Sequence, residues 1–410
     1  MAPDTDVLVL GAGPAGSSLA ARLADAGFAV VLADKKEFPR DKPCGEFLSP
    51  ECRPYLDALG VAATLSARGA HDVVGMRLHG YGERAVGHFR VVGDRPASAG
   101  VGLAIRRREF DHVLLDAARA RGVAWLPRHT FAALRRDGNG RIVGADLFAP
   151  DGSPRAVAAR WVVGADGVHS AVARDLGVQR REAWLDQFAL VAHFAGVTPQ
   201  ATAEVHLLPG GFFAATTVDA GVFSLNLVVP RARLRDRTAR ADGWDGFVAS
   251  HFADAPALAE RLRGSTRLQP WRGIGPFAHR TTAQVRPGAA LVGDAAGYVD
   301  PLTGEGVYFA LFGGRSLAEA LAAALHSPAR ERAALDGYVR ARRRELAPRL
   351  RASRLLQRAL RHPALVRTVL RRADRWRWLA DFLVTLSGDT IHPRELLRPS
   401  FWRAFGAAAS

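Results

Sequence analysis

The sequence VLVLGAGPAG at residues 7–16 decides the fold of the first part of the chain. Its first four residues form a continuous apolar run, which is typical of a central parallel strand buried on both faces. A GxGxxG pattern follows, and apolar residues then recur at helical spacing from Leu19 to Ala24. A second apolar run covers residues 29–33. The segment therefore predicts a complete βαβ unit.

The three glycines of this pattern have the spacing of a dinucleotide-binding turn. Gly11 permits the tight turn, Gly13 lets the backbone approach a pyrophosphate, and Gly16 lets the helix pack closely on the strand. Amides at the helix N-terminus can then bind the phosphates. Asp34, at the end of the second strand, is placed to accept hydrogen bonds from the adenosine ribose. The turn alone does not distinguish FAD from NAD.

Two later segments repeat the arrangement of a strand that ends in a glycine-flanked aspartate. The first is WVVGADG at residues 161–167, which contains Asp166. The second is AALVGDAAG at residues 289–297, which contains Gly293 and Asp294. The sequence DPLTGEG at residues 300–306 follows and opens a helix of small and apolar residues.

In this order, the three segments resemble the FAD enzymes with the para-hydroxybenzoate hydroxylase fold, which include aromatic hydroxylases and geranylgeranyl reductases. The resemblance covers the chain from residue 5 to about residue 325. It implies an α/β fold with a discontinuous Rossmann-type FAD-binding domain, an antiparallel β-sheet substrate domain and a C-terminal helical region. The expected ranges are 1–70, 105–180 and 285–330 for the FAD-binding domain, 70–105 and 185–285 for the substrate domain, and 330–410 for the helical region.

The resemblance also implies roles for single residues. Asp294 would bind ribityl or ribose hydroxyls, and Asp166 would lie where the pyrophosphate and a nicotinamide nucleotide come close. Arg107 would contact the flavin or pyrophosphate, although an arginine in the run Arg106-Arg107-Arg108 can equally be a solvated surface charge. The other expected cofactor-binding residues adjoin these motifs: Ala15, Lys35, Gly293 and Val307.

The loop at residues 300–306 has a physical reason to contact a flavin. Gly304 and Gly306 let the backbone lie against the isoalloxazine ring. The helix that follows directs its amides and the positive end of its dipole toward flavin N1 and O2. The alternative is a helix cap with an incidental turn.

The sequence FPRDKPCGEFLSP at residues 38–50 resembles the KPCGE loop of geranylgeranyl reductases and, more closely, hydroxylase-like enzymes found with type III polyketide synthases. That loop lies near the flavin in the family, so Cys44 and Glu46 are candidates for the active-site wall. Together with Pro301 and Gly304 they form the predicted catalytic set. Cys44 could instead be a packing residue in a tight turn. On the predicted sheet, His193 and His206 are either acid or base groups or structural residues.

The formal net charge of +16 would suggest a polyanionic partner, but only Lys35, Lys36 and Lys42 among the 56 basic residues are lysine. This arginine excess is typical of a GC-rich genome, so no nucleic-acid partner is expected. Residues 330–377 contain 16 arginines and four acidic residues. With Trp376, Trp378 and Phe382, helices here could lie on an anionic membrane or guide an apolar substrate inward, or form a solvated cap that packs on the flavin domain.

Cysteine content and hydropathy limit the cellular setting. The two cysteines, Cys44 and Cys52, make a disulfide framework improbable, and no cluster with metal-ligand spacing predicts a metal. The first hydrophobic run spans only residues 7–10, and none approaches the ~20 residues that cross a bilayer. A cytoplasmic protein is expected.

The leading functional hypothesis is an FAD-dependent monooxygenase that uses NAD(P)H and oxygen on a phenolic or polyketide-like molecule. NAD(P)H would dock transiently, because no second GxGxxG unit follows residue 35. The alternatives are an ene-reductase of isoprenoid double bonds and a non-catalytic protein that binds membrane or nucleic acid. A halogenase is disfavoured, because the chain has no Trp-x-Trp-x-Ile-Pro sequence and no lysine after residue 42.

Overall fold

The computed structural model describes residues 3–91, 97–234, 243–388, 391–399, 401–402 and 405. Within these ranges, no helix combines the length and the apolar character that a membrane span requires.

The strands share four sheets and are, in chain order, β1 (Thr5–Leu10), β2 (Val30–Ala33), β3 (Phe47–Leu48), β4 (His71–Val73), β5 (Gly75–Gly80), β6 (Glu83–His88), β7 (Gly102–Ala104), β8 (Ala124–Leu126), β9 (Thr130–Arg136), β10 (Ile142–Phe148), β11 (Pro154–Gly164), β12 (Gln179–Arg181), β13 (Gln187–Ala195), β14 (Thr202–Leu208), β15 (Gly211–Thr217), β16 (Phe223–Pro230), β17 (Thr266–Arg267), β18 (Arg272–Ile274), β19 (His279–Thr281), β20 (Val285–Arg286), β21 (Ala289–Leu291) and β22 (Gly297–Tyr298).

The α-helices flank these sheets and are α1 (Pro14–Asp25), α2 (Arg53–Ala58), α3 (Ala62–Ala67), α4 (Arg107–Arg119), α5 (Ala171–Asp175), α6 (Gly243–Ala249), α7 (Pro256–Arg261), α8 (Gly306–His326), α9 (Glu331–Ala359), α10 (Pro363–Arg375) and α11 (Arg377–Ser387).

The first sheet is built around β1 and has the order β20-β21-β11-β1-β2-β8. The pairs of β1 with β2 and β11 are parallel, as the predicted βαβ unit requires. Alternate residues of β1 enter two different cores: Val7 and Val9 pack in the core beneath α1, α4 and α8, whereas Leu8 and Leu10 pack in the core on the opposite face. The continuous apolar run therefore reflects burial on both faces.

The second sheet has the order β17-β13-β16-β15-β14-β5-β6, with β18 added to β13. Strands β13 to β16 lie within residues 185–285, where the resemblance implies an antiparallel sheet. The predicted antiparallel sheet departs from the structure at one pair, because β5 runs parallel to β14. The hairpin of β5 and β6 comes from a distant part of the chain, so no tight turn fixes its direction relative to β14.

The C-terminal helices contact both sheets. Helix α9 packs on α8, beside the first sheet, as a cap on the flavin domain would. Helices α10 and α11 pack on β5 and β6 of the second sheet instead. Buried Asp381 of α11 fixes this contact, because its carboxylate accepts hydrogen bonds from the backbone nitrogen of His88 at 2.7 Å and from Arg90 Nε at 2.7 Å. The domain boundaries remain predictions.

Candidate active site

The turn after β1 gives each of its glycines a different environment. A Cβ added at Gly11, whose φ is +109°, would lie 2.4 Å from the backbone oxygen of Ala165. A Cβ added at Gly16 would lie 1.8 Å from the backbone oxygen of Gly11, so α1 packs closely on the turn. At Gly13 the nearest atom would be Arg107 Nη2, at 4.0 Å. Gly13 therefore borders open space where the sequence predicts a pyrophosphate.

Asp34 lies directly after β2, and its carboxylate binds backbone on both sides. Oδ2 accepts a hydrogen bond from the nitrogen of Ala12 at 2.9 Å, and Oδ1 accepts one from the nitrogen of Lys36 at 2.9 Å. Asp34 thus sits at the edge of the glycine turn, and its ribose contact remains a prediction. Lys35 is exposed and does not line the main cavity described below.

The structure separates the three consecutive arginines at the start of α4. Arg106 pairs with Asp219, and Arg108 is exposed, whereas Arg107 is 4% exposed and faces Gly13. The Arg107 Nε and Nη2 atoms donate to Asp111 at 2.7 and 2.8 Å. Burial lowers the pKa of Arg107, but Asp111 and Cys44 outweigh this and raise it above its ordinary value. Arg107 is therefore a fixed cation in the cavity wall.

Lys42 is a cavity residue that the sequence analysis did not assign to the site. It lines the cavity beside Gly13 and Asp294. Burial and the neighbouring Arg107 lower the pKa of its ammonium group, while Asp294 opposes that shift. An anionic ligand between Lys42 and Arg107 would relieve their mutual repulsion. The loop that carries Lys42 has no periodicity from which its direction could be predicted.

Glu46 joins the loop at residues 44–47 to the second sheet. Its Oε2 lies 2.6 Å from His193 Nε2, and its Oε1 accepts a hydrogen bond from the nitrogen of Arg107 at 3.1 Å. Gln269 Nε2 lies 2.6 Å from His193 Nδ1. Burial alone lowers the pKa of His193, but the hydrogen bond and charge of Glu46 raise it above its ordinary value. Both oxygens of the predicted catalytic Glu46 thus have protein partners.

Asp166 binds the N-terminus of helix α5 rather than pointing freely into the cavity. Its Oδ1 accepts a hydrogen bond from Ser170 Oγ at 2.5 Å, and its Oδ2 accepts one from the nitrogen of Ala171 at 2.6 Å. The next residue, Gly167, lines the main cavity. Asp166 therefore positions the backbone at the cavity edge, and its predicted contact with a nucleotide is untested.

The loop before α8 is held by close contacts on two sides. Gly293 has a φ of +62°, and a Cβ there would lie 2.8 Å from the Cβ of Ala15. Gly304 has a φ of +71°, and a Cβ there would lie 2.7 Å from the Phe47 ring. Gly306 starts α8, so the helix N-terminus faces the cavity, which Gly306 and Val307 both line.

One cavity between the two sheets brings together most of the predicted site. The predicted residues that line it are Gly13, Ala15, Cys44, Glu46, Arg107, Asp294, Pro301, Gly304, Gly306 and Val307. The predicted residues Gly11, Gly16, Asp34, Lys35, Asp166 and Gly293 do not line it. Of these, Gly11, Gly16 and Gly293 allow close packing around the cavity.

A smaller space, which we call the inner chamber, adjoins this cavity beneath the second sheet. Its apolar walls are Val168, Ala189, Phe212, Ala214, Val228, Ile274 and Phe277. Cys44, Tyr298 and Pro301 face them from the flavin side, and Asn226 is a polar side chain on the sheet side. The charged residues Lys42, Arg107 and Asp294 also line the chamber, where it borders the main cavity. Burial, with Asp294 and Asp300 nearby, raises the pKa of Tyr298 well above its ordinary value. Tyr298, Asn226 and the apolar walls were not identified from the sequence.

His206 lies away from the flavin side of the second sheet. His206, His79 and Glu204 could bring ligand atoms within 4.8 Å of one another, the spacing of a metal site. Glu204 Oε1, however, already lies 2.8 Å from Arg261 Nε, and this cation opposes a metal ion. The cluster spans two strands, which is why spacing along the chain did not indicate it.

The cavity residues fit the chemistry of FAD. The space beside Gly13 would be filled by a side chain at that position and is left open by glycine. Lys42 and Arg107 supply positive charge for a diphosphate, and Asp294 supplies a hydroxyl acceptor on the cavity wall. The N-terminus of α8 adds a positive dipole end beyond the loop at residues 301–306.

Comparison with known proteins agrees with this fit. Residues 4–353 match the family model described as FAD binding domain. The chain is 31% identical over 341 residues to a menaquinone reductase of Mycobacterium tuberculosis, which covers 77% of this chain and 76% of the relative. It is 25% identical over 328 residues to the 1H-pyrrole-2-carbonyl-[peptidyl-carrier protein] brominase of Pseudoalteromonas luteoviolacea, which covers 78% of each chain.

A solved structure shows the same fold. It is PqsL of Pseudomonas aeruginosa, described as a probable FAD-dependent monooxygenase. The TM-score is 0.70 at 22% identity, and the match covers 89% of this chain and 98% of PqsL. The relatives thus include reductases and halogenating enzymes, and the shared fold extends to a probable monooxygenase.

Proposed function

The chain belongs to the FAD binding domain family of oxidoreductases, and we propose that it is an NAD(P)H-dependent monooxygenase that hydroxylates a phenolic or polyketide-like small molecule. The observation that carries this proposal is the inner chamber. The second sheet supplies apolar side chains to its walls, and Pro301, at the predicted flavin edge, lines it as well. A planar ring with few polar groups suits such a chamber.

Each part of the chamber has a separate task in this reaction. Reduced FAD, when bound, supplies the activation of dioxygen, which the protein itself cannot perform. Val168, Phe212 and Phe277 exclude water from the reacting ring. The Asn226 side chain, which donates to the backbone oxygen of Ala214 at 3.3 Å, can also orient a phenolic hydroxyl. Tyr298, whose pKa is raised further by burial, is a neutral phenol that can donate a hydrogen bond.

The second candidate is an ene-reductase, which a specific observation favours. The menaquinone reductase of Mycobacterium tuberculosis shares 31% identity across most of both chains. Cys44 lines the inner chamber, so its thiol could deliver a proton to a reduced double bond. Both candidates need reduced flavin, and they differ in whether oxygen is consumed.

Oxygen dependence separates the two candidates. The FAD-loaded protein is incubated with NAD(P)H and a panel of phenols and prenylated quinones, with and without oxygen. For the monooxygenase we expect phenols to accelerate NAD(P)H oxidation and product formation to stop without oxygen. Product formation that continues without oxygen and adds two hydrogens across a carbon–carbon double bond of the prenyl chain, rather than reducing the quinone ring to a quinol, would replace the monooxygenase with the ene-reductase.

A further inference from the structure

A second cavity continues the inner chamber along the same face of the second sheet. We call it the outer cavity. Its lining includes Gln187 of β13, Gly211 of β15 and Pro230 of β16. Each lies one or two residues beyond an inner-chamber residue on the same strand, since the inner chamber contains Ala189, Phe212 and Val228. The outer cavity therefore extends the inner chamber by roughly 3–7 Å, or one to two residues, along the strands.

Phe212 lines both spaces and separates them. It is 1% exposed and packs with Ala189 and Val228 on the flavin side of the sheet. The register places it directly opposite Val228. Since an aromatic ring can change rotamer without moving the backbone, Phe212 is a barrier that an elongated ligand could pass.

The lining of the outer cavity is mainly apolar. Aromatic and aliphatic side chains form its walls: Tyr81, Trp184, Leu185, Leu207, Leu208 and Leu360. Gln187 and Gln357 also line it, and the Gln187 Nε2 atom donates to Gln357 Oε1 at 3.3 Å. Arg231 and Arg361 are exposed and lie at the rim. Asp186 also lines the cavity, is half-buried and pairs with Arg181. Apart from this carboxylate and the two glutamines, the interior consists of apolar side chains that suit hydrocarbon.

We infer that the outer cavity binds the apolar tail of a substrate whose reacting ring occupies the inner chamber. The inference rests on the proposed function, because that function places the ring beside Pro301. It specifies the substrate class as an aromatic head that carries an aliphatic chain. Phe212 is then the residue at which head and tail meet, and it determines which chains can enter.

Affinity as a function of chain length tests this inference without turnover. Binding of 4-alkylphenols from methyl to heptyl is measured by the absorbance change of oxidised flavin in the FAD-loaded full chain, without NAD(P)H. Burial of each added methylene should strengthen binding about fourfold. A parallel series of straight-chain alcohols, measured by calorimetry, tests the tail without an aromatic head.

A variant with a bulky side chain at the rim tests whether the alkyl chain occupies the outer cavity. Ala183 is exposed and lines the outer cavity, so Ala183→Trp can obstruct its opening without disturbing the core. This variant should flatten the dependence on chain length and leave 4-methylphenol binding unchanged. Ala257→Trp, at an exposed position of α7 away from both spaces, is the matched control and should keep the dependence. Phe212→Trp should flatten it as well.

The outcomes distinguish this inference from the proposed function. If affinity does not rise with chain length in either series for the unaltered protein, the outer cavity does not bind the tail. The same conclusion follows if affinity rises with chain length as steeply in Ala183→Trp as in the unaltered protein. If affinity rises steeply with chain length but the protein forms no hydroxylated product, the outer cavity binds the tail and the proposed monooxygenase function is wrong.

Discussion

At the level of single residues, the glycines of the GxGxxG turn are required for different physical reasons. Gly11 and Gly16 are required by protein atoms within 2.4 and 1.8 Å of an added Cβ. Gly13 has no such neighbour, so a ligand provides the better reason for glycine there. Only the structure separates these cases, because the GxGxxG spacing is the same whether a backbone or a phosphate is the neighbour.

The open space at Gly13 leads to the first prediction. Gly13→Val should weaken FAD binding by roughly a hundredfold or more, about 3 kcal/mol, because the added methyl groups occupy the predicted phosphate space. FAD affinity is measured by fluorescence titration of the apoprotein. Gly138→Val is the control, since a Cβ at that exposed turn meets nothing within 4 Å. Undiminished FAD affinity in a folded Gly13 variant would show that the phosphates bind elsewhere.

Asp300, directly before the loop at residues 301–306, leads to a pH prediction. Burial raises its pKa from 3.8 to about 6, although hydrogen bonds from the nitrogen of Leu302 and from Ser353 oppose the shift. Because the folded pKa is the higher one, the protonated carboxyl favours folding. Its contribution is complete below about pH 4 and is lost as the pH rises through about 6.

Asp300→Asn should therefore stabilise the protein mainly at high pH. We expect the free energy of unfolding to rise by about 1–3 kcal/mol near pH 8 and to change little near pH 4. Denaturant unfolding at both pH values measures this difference. The exposed Asp374→Asn serves as the control for removal of a negative charge. Equal destabilisation of Asp300→Asn at both pH values would contradict the account.

The sequence predicted some residues of the site for reasons that the structure makes clear. The resemblance singled out Arg107, and the structure pairs it with Asp111, four residues later on the same helix. Lys42, Tyr298 and Asn226 could not be predicted from the sequence. Their contribution depends on how a loop folds and on how two separate sheets face each other, and no local periodicity encodes either.

At the level of elements, the periodic segments were predicted well and their partners less well. β1, α1 and β2 follow from local pattern, since burial on both faces of a strand requires a continuous apolar run. The parallel pairing of β5 with β14 and the packing of α10 and α11 on β6 depend on contacts distant in sequence. Such contacts are set by the tertiary fold rather than by the residues of either element.

The corner between α10 and α11 presents a basic and aromatic surface. Trp376 and Trp378 are 45% and 44% exposed, and their stacked rings lie 6.4 Å apart. Arg372, Arg375 and Arg377 are exposed beside them, and within the described part of the chain none has an ion-pair partner. We therefore propose that this corner contacts anionic membranes, where arginine meets lipid phosphate and tryptophan enters the interface.

Vesicle sedimentation tests this contact. The FAD-loaded chain should bind vesicles that contain phosphatidylglycerol, release them as salt is raised, and bind phosphatidylcholine vesicles poorly. The double variant Trp376→Ala/Trp378→Ala should lose most of the binding. Trp402→Ala, at another exposed tryptophan, should lose little. Equal binding to both lipids, or full binding by the double variant, would show that this corner does not mediate binding to anionic membranes.

At the level of the whole molecule, the two sheets divide the work. The first sheet and α8 supply the glycine turn, Asp294 and a helix N-terminus for the cofactor. The second sheet supplies an apolar roof, and the loop at residues 44–47 joins them through the contact of Glu46 with His193. A constant cofactor side beneath a variable roof is one way in which a reductase, a brominase and a probable monooxygenase can share one fold.

Isotopically labelled dioxygen tests the central claim most directly. The FAD-loaded protein is supplied with NAD(P)H, labelled dioxygen and a phenol that stimulates NAD(P)H oxidation, and the product is analysed by mass spectrometry. A monooxygenase transfers one oxygen atom from dioxygen to the ring, so the account predicts a product with a single labelled oxygen atom. A product that carries no label, or one that has gained two hydrogens instead of oxygen, would contradict it.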